Sequence, residues 1–192
     1  MTITKRLGEL YRYRELVRQL VLRDLKARYK NSVLGFLWSL LNPLGMMLVF
    51  TVVFTQLLPQ YSMADYPVHL LSALLPWNFL VGGLTSATSS VLANAPLVRR
   101  VYFPREVLPI SSVLANLVNF LLALIPLLLL AMVMGRPLTL WLPLFLPVVI
   151  LVQVTFVLGL SFLLSAINVF YRDTQMILEV LTLAWFFVTP VF

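Results

Sequence analysis

Cysteine is absent from the 192 residues. That excludes disulfides, thiol nucleophiles and cysteine-ligated metals. Histidine occurs once, at His69. A lone imidazole has no companion ligands, so it reads as an interfacial residue and no metal is expected. Acids number seven. No two of them share an apolar stretch, so no carboxylate pair is set up for acid–base chemistry. No GxxxxGK(S/T) loop is present, which leaves the chain without a P-loop of its own. Charged residues make up 11% of the chain, against roughly 25% in a soluble domain. That is too little charge to cover a soluble globule of this length. The N-terminal thirty or so residues are polar and charged, with no early apolar core, so they do not read as a cleavable signal peptide.

Apolar residues are abundant instead: 61% of the chain, with a mean hydropathy of +0.97. The solvent for most of the surface is therefore lipid. The fold class expected is an all-α polytopic membrane protein. Residues 1–31 form a cytoplasmic segment in which Leu10, Tyr13, Val17, Leu20 and Val21 recur at helical spacing. Such a helix lies in the interface plane and presses its apolar face into the acyl boundary. Its polar face either does no more than anchor the N-terminus or also meets a soluble partner.

The transmembrane domain occupies 32–192, with spans at about 33–58, 67–93, 107–134, 140–167 and 176–192. The last is short for a crossing and is expected to be truncated. Pro43, Pro76 and Pro126 are expected to kink or interrupt their helices. The run from Thr85 to Ser90 is nearly all small and hydroxylic. It suits close helix packing, or alternatively a polar path. Asn116 and Asn119 are expected to bond to neighbouring helices. Glu179 is the only acid inside a span, and an intramembrane acid is a functional candidate by default.

Charge placement sets the orientation. Of fourteen Lys and Arg, nine precede the first span, three lie in 94–106 and one in 168–175, while Arg136 alone falls on the opposite side. That asymmetry places the N-terminus in the cytoplasm. It also explains the net charge of +7 without nucleic acid. Segment 94–106, NAPLVRRVYFPRE, mixes Arg99, Arg100 and Arg105 with Leu97, Val98, Tyr102 and Phe103. A short basic and aromatic helix between two spans suits docking on a partner; the alternative is a snorkelling interfacial loop.

Five stretches carry a resemblance. RDLKARYKNSVLGFLWSLLNPL at 23–44, LLPWNFL at 74–80, NAPLVRRVYFPREVLP at 94–109, NVFYRDTQ at 168–175 and VTPVF at 188–192 are similar, in order and spacing, to permease subunits of the ABC-2 type polysaccharide exporters. The resemblance implies six spans, a homodimer and two copies of a separate P-loop subunit that carries ATP and Mg. It implies a bacterial inner-membrane location and a lipid-linked polysaccharide such as O-antigen as substrate. The chain itself then binds no cofactor and is not an enzyme. The coupling helix of the family falls within 95–102, making Leu97, Arg99, Arg100 and Tyr102 contacts for the ATPase subunit. The end of span five, the re-entrant outer helices and span six of the family are expected to be missing.

A path for sugars should be aromatic and polar without fixed charge. Tyr61, Tyr66, Trp77, Asn78, Phe79, Thr85, Ser86 and Ser89 are the candidates. Arg23, Lys26, Arg28 and Lys30 are candidates to guide a lipid pyrophosphate, beside their role in topology. Two other readings are an ABC-2 permease for a drug or small lipid, and a membrane-embedded glycosyl or acyl transferase. For the latter only Glu106, Asp173 and Glu179 are available at the membrane face.

Overall fold

A computed structural model describes residues 12–29, the positions 37, 38, 41, 42, 44–46, 48, 49 and 52, residues 66–133, residue 135, and residues 142–189. Tyr61, Lys30 and Pro43 lie outside the described residues. Among the described residues every regular element is helical. Six helices follow in chain order: α1 Arg14–Tyr29, α2 Tyr66–Ala93, α3 Ala95–Arg100, α4 Val107–Val133, α5 Leu142–Phe170 and α6 Thr174–Val188. Every described position from 38 to 52 is helical as well.

Among the described residues three helices are long and apolar enough to cross a membrane: Val68–Ala93, Val107–Val133 and Pro143–Phe170. At about 1.5 Å per residue each exceeds the roughly 30 Å of a hydrocarbon core. α6 is apolar but has only 15 residues. Pro76 and Pro126 do not end their helices; both lie inside continuous α2 and α4. A proline removes a single backbone donor, and packing on both sides of the gap holds the rest of the ladder.

α2 is the centre of the bundle. It packs most extensively on α4, then on α5, and α6 leans mainly on α2. The core joins Leu71, Leu75, Phe79, Leu84 and Ala87 of α2 to Val113, Phe120 and Leu124 of α4, Val157 of α5 and Leu178 of α6. The small residues of α2 make that approach close: a Cβ on Gly83 would meet the Val157 Cγ1 at 2.9 Å. Polar side chains clasp the same seam. Gln153 Nε2 donates to the Pro76 carbonyl at 2.7 Å, and Asn168 Nδ2 donates to the Thr88 carbonyl at 2.9 Å. The opposite face of α5 carries Leu151, Val152, Phe145 and Leu163, all exposed. On a soluble protein such a face would mark a partner site; on a helix long and apolar enough to cross a membrane, lipid is an equally good cover.

Helix α4 stops at a turn where Gly135 has φ +70 and donates its N–H to the Met132 carbonyl at 3.0 Å. That left-handed conformation favours glycine, as at many helix C-termini.

Candidate functional site

Two regions concentrate polar chemistry. The first is where α1, α3 and the start of α4 meet. The apolar stripe of α1 does not face outward. Tyr13, Leu16, Val17 and buried Leu20 pack with Leu97 and Val98 of α3, with Phe103, and with Val107 and Leu108 of α4. The periodicity of 10–21 revealed a stripe, but periodicity does not say whether lipid or protein covers it. Here protein covers the described part.

Arg23 sits on the polar side of that joint. Its Nη1 donates to Asn94 Oδ1 at 2.8 Å, and its Nη2 lies 3.0 Å from Asp24 Oδ1. Asn94 also donates from Nδ2 to the Ser90 carbonyl at 2.8 Å. Its side-chain amide thus ties α1 to the end of α2, while its backbone carbonyl opens α3 by accepting from the N–H groups of Leu97 and Val98 at 3.0 Å each. α3 itself carries Pro at its start, as suits a helix first turn, and no residue in it is buried. Arg99 and Arg100 are exposed, Leu97 half-buried, and Tyr102 is 95% exposed on the extended stretch that follows. An aromatic ring left that bare beside two guanidinium groups has the composition that partner interfaces favour.

The second region is a cleft of about 430 Å³ between α2, α4 and the helical positions 38, 42 and 46. Arg28 stands at one end of it. The Nη2 of Arg28 donates to Asn116 Oδ1 at 3.0 Å and to Ser86 Oγ at 3.3 Å. Asn116 is nine residues along α4 from Val107, so the guanidinium meets that helix about 14 Å from its start. Asn116 is held in turn by its Nδ2, which donates to the Ser112 carbonyl at 2.8 Å. Gly82 leaves room for this arrangement; a Cβ there would stand 3.1 Å from Asn116 Oδ1. Asn42, Asn78 and Asn119 continue the amide lining, with Trp38, Phe79 and Phe120 as the aromatic walls. Phe79 and Phe120 stack with ring centroids 5.3 Å apart at 23°.

The candidate residues divide between these regions. Asn78, Phe79 and Arg28 line the cleft, and Ser86 meets it through Arg28. Trp77 points elsewhere, onto Trp185 at 6.2 Å and Phe186 at 5.3 Å. Ser89 turns its hydroxyl back onto the carbonyls of Thr85 and Ser86, 3.2 Å each, a bond that satisfies the hydroxyl within its own helix. Thr85 is half-buried and Lys26 is exposed. Tyr66 opens α2; Tyr61 and Lys30 fall outside the described residues. Glu179 lies on an exposed face of α6.

Asn42, Asn116, Asn119, Trp38 and Phe120 were not singled out as path residues from the sequence. Their spacing carried the signal: 38, 42 and 46 on one helical face, 75, 78, 79 and 82 on another, 116, 119, 120 and 123 on a third. What spacing does not give is which of those faces turn toward each other.

A family model described as ABC-2 type transporter matches residues 15–192. The O-antigen export system permease protein RfbA of Myxococcus xanthus is 44% identical over 183 residues, which covers 95% of this chain and 70% of that protein. A protein of the same name from Klebsiella pneumoniae is 33% identical over 170 residues, 88% of this chain and 65% of that one. A second from Klebsiella pneumoniae is 32% identical over 169 residues, with 88% and 65% covered. The chain spans about two thirds of the length of these relatives.

Proposed function

The chain belongs to the ABC-2 type transporter family, and on that premise we propose that it is the membrane subunit of an exporter that moves a lipid-linked polysaccharide of the O-antigen class across a bacterial inner membrane. The observation that carries this reading is the cleft. Amides and aromatic rings line it, and among the described residues its one cation is Arg28 of α1. Sugars offer hydroxyls to amides and C–H faces to rings, while fixed charge would hold a moving polymer too tightly.

In this reading the N-terminus is cytoplasmic, α1 is the interface helix, and the end of the bundle that gathers α1, α3 and the α5–α6 turn faces the cytoplasm. Two copies of the chain pair, and each receives a separate P-loop subunit that carries ATP and Mg. Leu97, Arg99, Arg100 and Tyr102 form the contact with that subunit. Its closure on ATP pushes α3; the cluster of Leu20, Leu97, Phe103 and Val107 passes the push to α1 and to the start of α4. Arg23, Lys26, Arg28 and Lys30 form the basic threshold that draws in a lipid diphosphate. Asn78, Phe79 and Ser86, with Thr85 beside them and Tyr61 and Tyr66 toward the outer end, are the sugar-contacting set, while Trp77 packs on α6 and Ser89 bonds within its own helix.

The test is copurification of the full-length protein with a P-loop ATPase subunit, followed by ATP-driven export of labelled polymer into vesicles. Tyr102→Ala is expected to reduce recovery of the P-loop subunit while leaving the melting temperature of the chain unchanged, because the ring is 95% exposed. A full-length protein that recruits no ATPase would refute the exporter reading.

A further inference from the structure

We propose that the Arg28 end of the cleft is a seat, inside a single protomer, for a phosphoryl anion joined to a neutral sugar. This rests on the exporter reading and deepens it, by separating one residue from the general basic threshold and assigning it a bound ligand.

Three observations converge. Arg28 is a cation that meets α4 about 14 Å from its start, and its contacts there are neutral: Asn116 Oδ1 at 3.0 Å and Ser86 Oγ at 3.3 Å. Among the described residues it makes no ion pair. The other guanidinium of α1 that reaches the bundle, Arg23, has Asp24 at 3.0 Å. Arg28 is otherwise exposed, so its remaining donors are open to a ligand, and a charge-assisted bond to an anion is the strongest they can make. An anion in the cleft mouth would supply the missing counter-charge.

Second, the site is built to hold the guanidinium and not merely to tolerate it. Asn116 is buried and oriented by its own bond to the Ser112 carbonyl at 2.8 Å. Position 82 is glycine where any Cβ would press on Asn116 Oδ1 at 3.1 Å. One fork of Arg28 is thereby fixed, which aims the remaining donors in a set direction.

Third, the lining beyond Arg28 suits a neutral polyol. Asn42, Asn78 and Asn119 supply amides and Trp38, 52% exposed, supplies an accessible ring face. The volume of about 430 Å³ falls within the roughly 300–1,000 Å³ of small-molecule sites. The geometry thus places phosphate on Arg28 and the adjoining sugar against Trp38 and the amides.

The experiment measures binding directly, with the full-length protein in nanodiscs and no ATPase present. The probes are a polyprenyl diphosphate bearing one N-acetylhexosamine, the same lipid diphosphate without sugar, and a soluble sugar diphosphate. Arg28→Gln is expected to weaken all three by about 10- to 100-fold, the loss of a charge-assisted contact. Asn116→Asp keeps the shape of the side chain and gives Arg28 a carboxylate; it is expected to weaken them to the same degree. Arg28→Lys recovers part of the affinity, since charge returns without the fork. Trp38→Leu weakens the two sugar-bearing probes and leaves the sugarless lipid unchanged. Arg18→Gln, on the exposed face of α1 beside Glu15, leaves all three unchanged and controls for general surface charge.

Tighter binding of the lipid-linked sugar than of its soluble counterpart assigns the anion to a membrane carrier; equal binding assigns it to a free sugar diphosphate. Wild-type affinity in folded Arg28→Gln and Asn116→Asp, judged by unchanged melting, overturns the seat and leaves the exporter reading standing. A wild-type protein that binds none of the lipid-linked probe overturns both.

Discussion

Adding one methyl group at Gly83 tests how closely α2 and α5 approach. The new Cβ would lie 2.9 Å from Val157 Cγ1, and Val157 is completely buried. Valine in a helix has essentially one χ1 rotamer, so it does not swing aside. Overpacking of this kind costs about 1–3 kcal/mol. Exchanging glycine for alanine inside a helix returns about 1 kcal/mol. The net expectation for Gly83→Ala is a loss of about 1 kcal/mol, small alone but separable by a cycle. Val157→Ala removes the clashing methyl and leaves a gap, at a cost of about 1–2 kcal/mol. On that background Gly83→Ala should become favourable by about 1 kcal/mol, since only the helix term remains. The coupling energy between the two sites is then about 1–3 kcal/mol. Gly159→Ala, whose Cβ meets nothing within 4 Å, provides the control and should stabilise. The assay is reversible unfolding in mixed micelles followed by circular dichroism. Additivity of the two substitutions within about 0.5 kcal/mol would refute the contact.

Three further outcomes follow from named contacts. Asn168 is buried, with its Oδ1 lacking a partner among the described residues; Asn168→Leu should therefore fall within about 1 kcal/mol of wild type, whereas Asn168→Asp buries a charge and should cost about 3 kcal/mol or more, both read by the same unfolding assay. Gln153→Leu deletes the 2.7 Å bond to the Pro76 carbonyl and should cost about 0.6 kcal/mol, at most about 1.7 kcal/mol, because interhelical bonds in lipid are modest. Leu20→Asp places a carboxylate in the cluster with Phe103 and Val107; limited proteolysis should then cleave within 14–29 while the spans stay inserted, and continued protection of α1 would contradict its docking.

The long helices were legible because lipid writes a simple signal. Apolar runs around 67–93, 107–134 and 140–167 need no partner to be recognised, and the helices observed are Tyr66–Ala93, Val107–Val133 and Leu142–Phe170. The stripe of α1 was legible too, since Leu20 and Val17 share a face. Contacts across the sequence were not. Nothing local to Arg28 points to Asn116, and nothing local to Leu20 points to Phe103. In a soluble protein, burial of an apolar face implies protein on the other side; in a membrane chain lipid is an equal alternative, so the inference stops at the helix surface. Trp77 shows the same limit. Its position among path candidates came from chemistry, while its ring packs on Trp185 and Phe186 of α6, contacts set by how α6 folds back after the turn at Tyr171.

The joint between Leu20, Phe103, Val107 and Leu108 also defines the unit in which such a chain can be recombined. Exchanging segment 94–106 alone between two related subunits would leave Leu20 facing a foreign surface and strand an apolar side chain. Exchanging 94–108, which includes Val107 and Leu108, together with 12–29 keeps the joint intact. Hybrid subunits built with both segments from one parent should fold where hybrids carrying only one do not, so the modular boundary of this protein is discontinuous in sequence and continuous only in space.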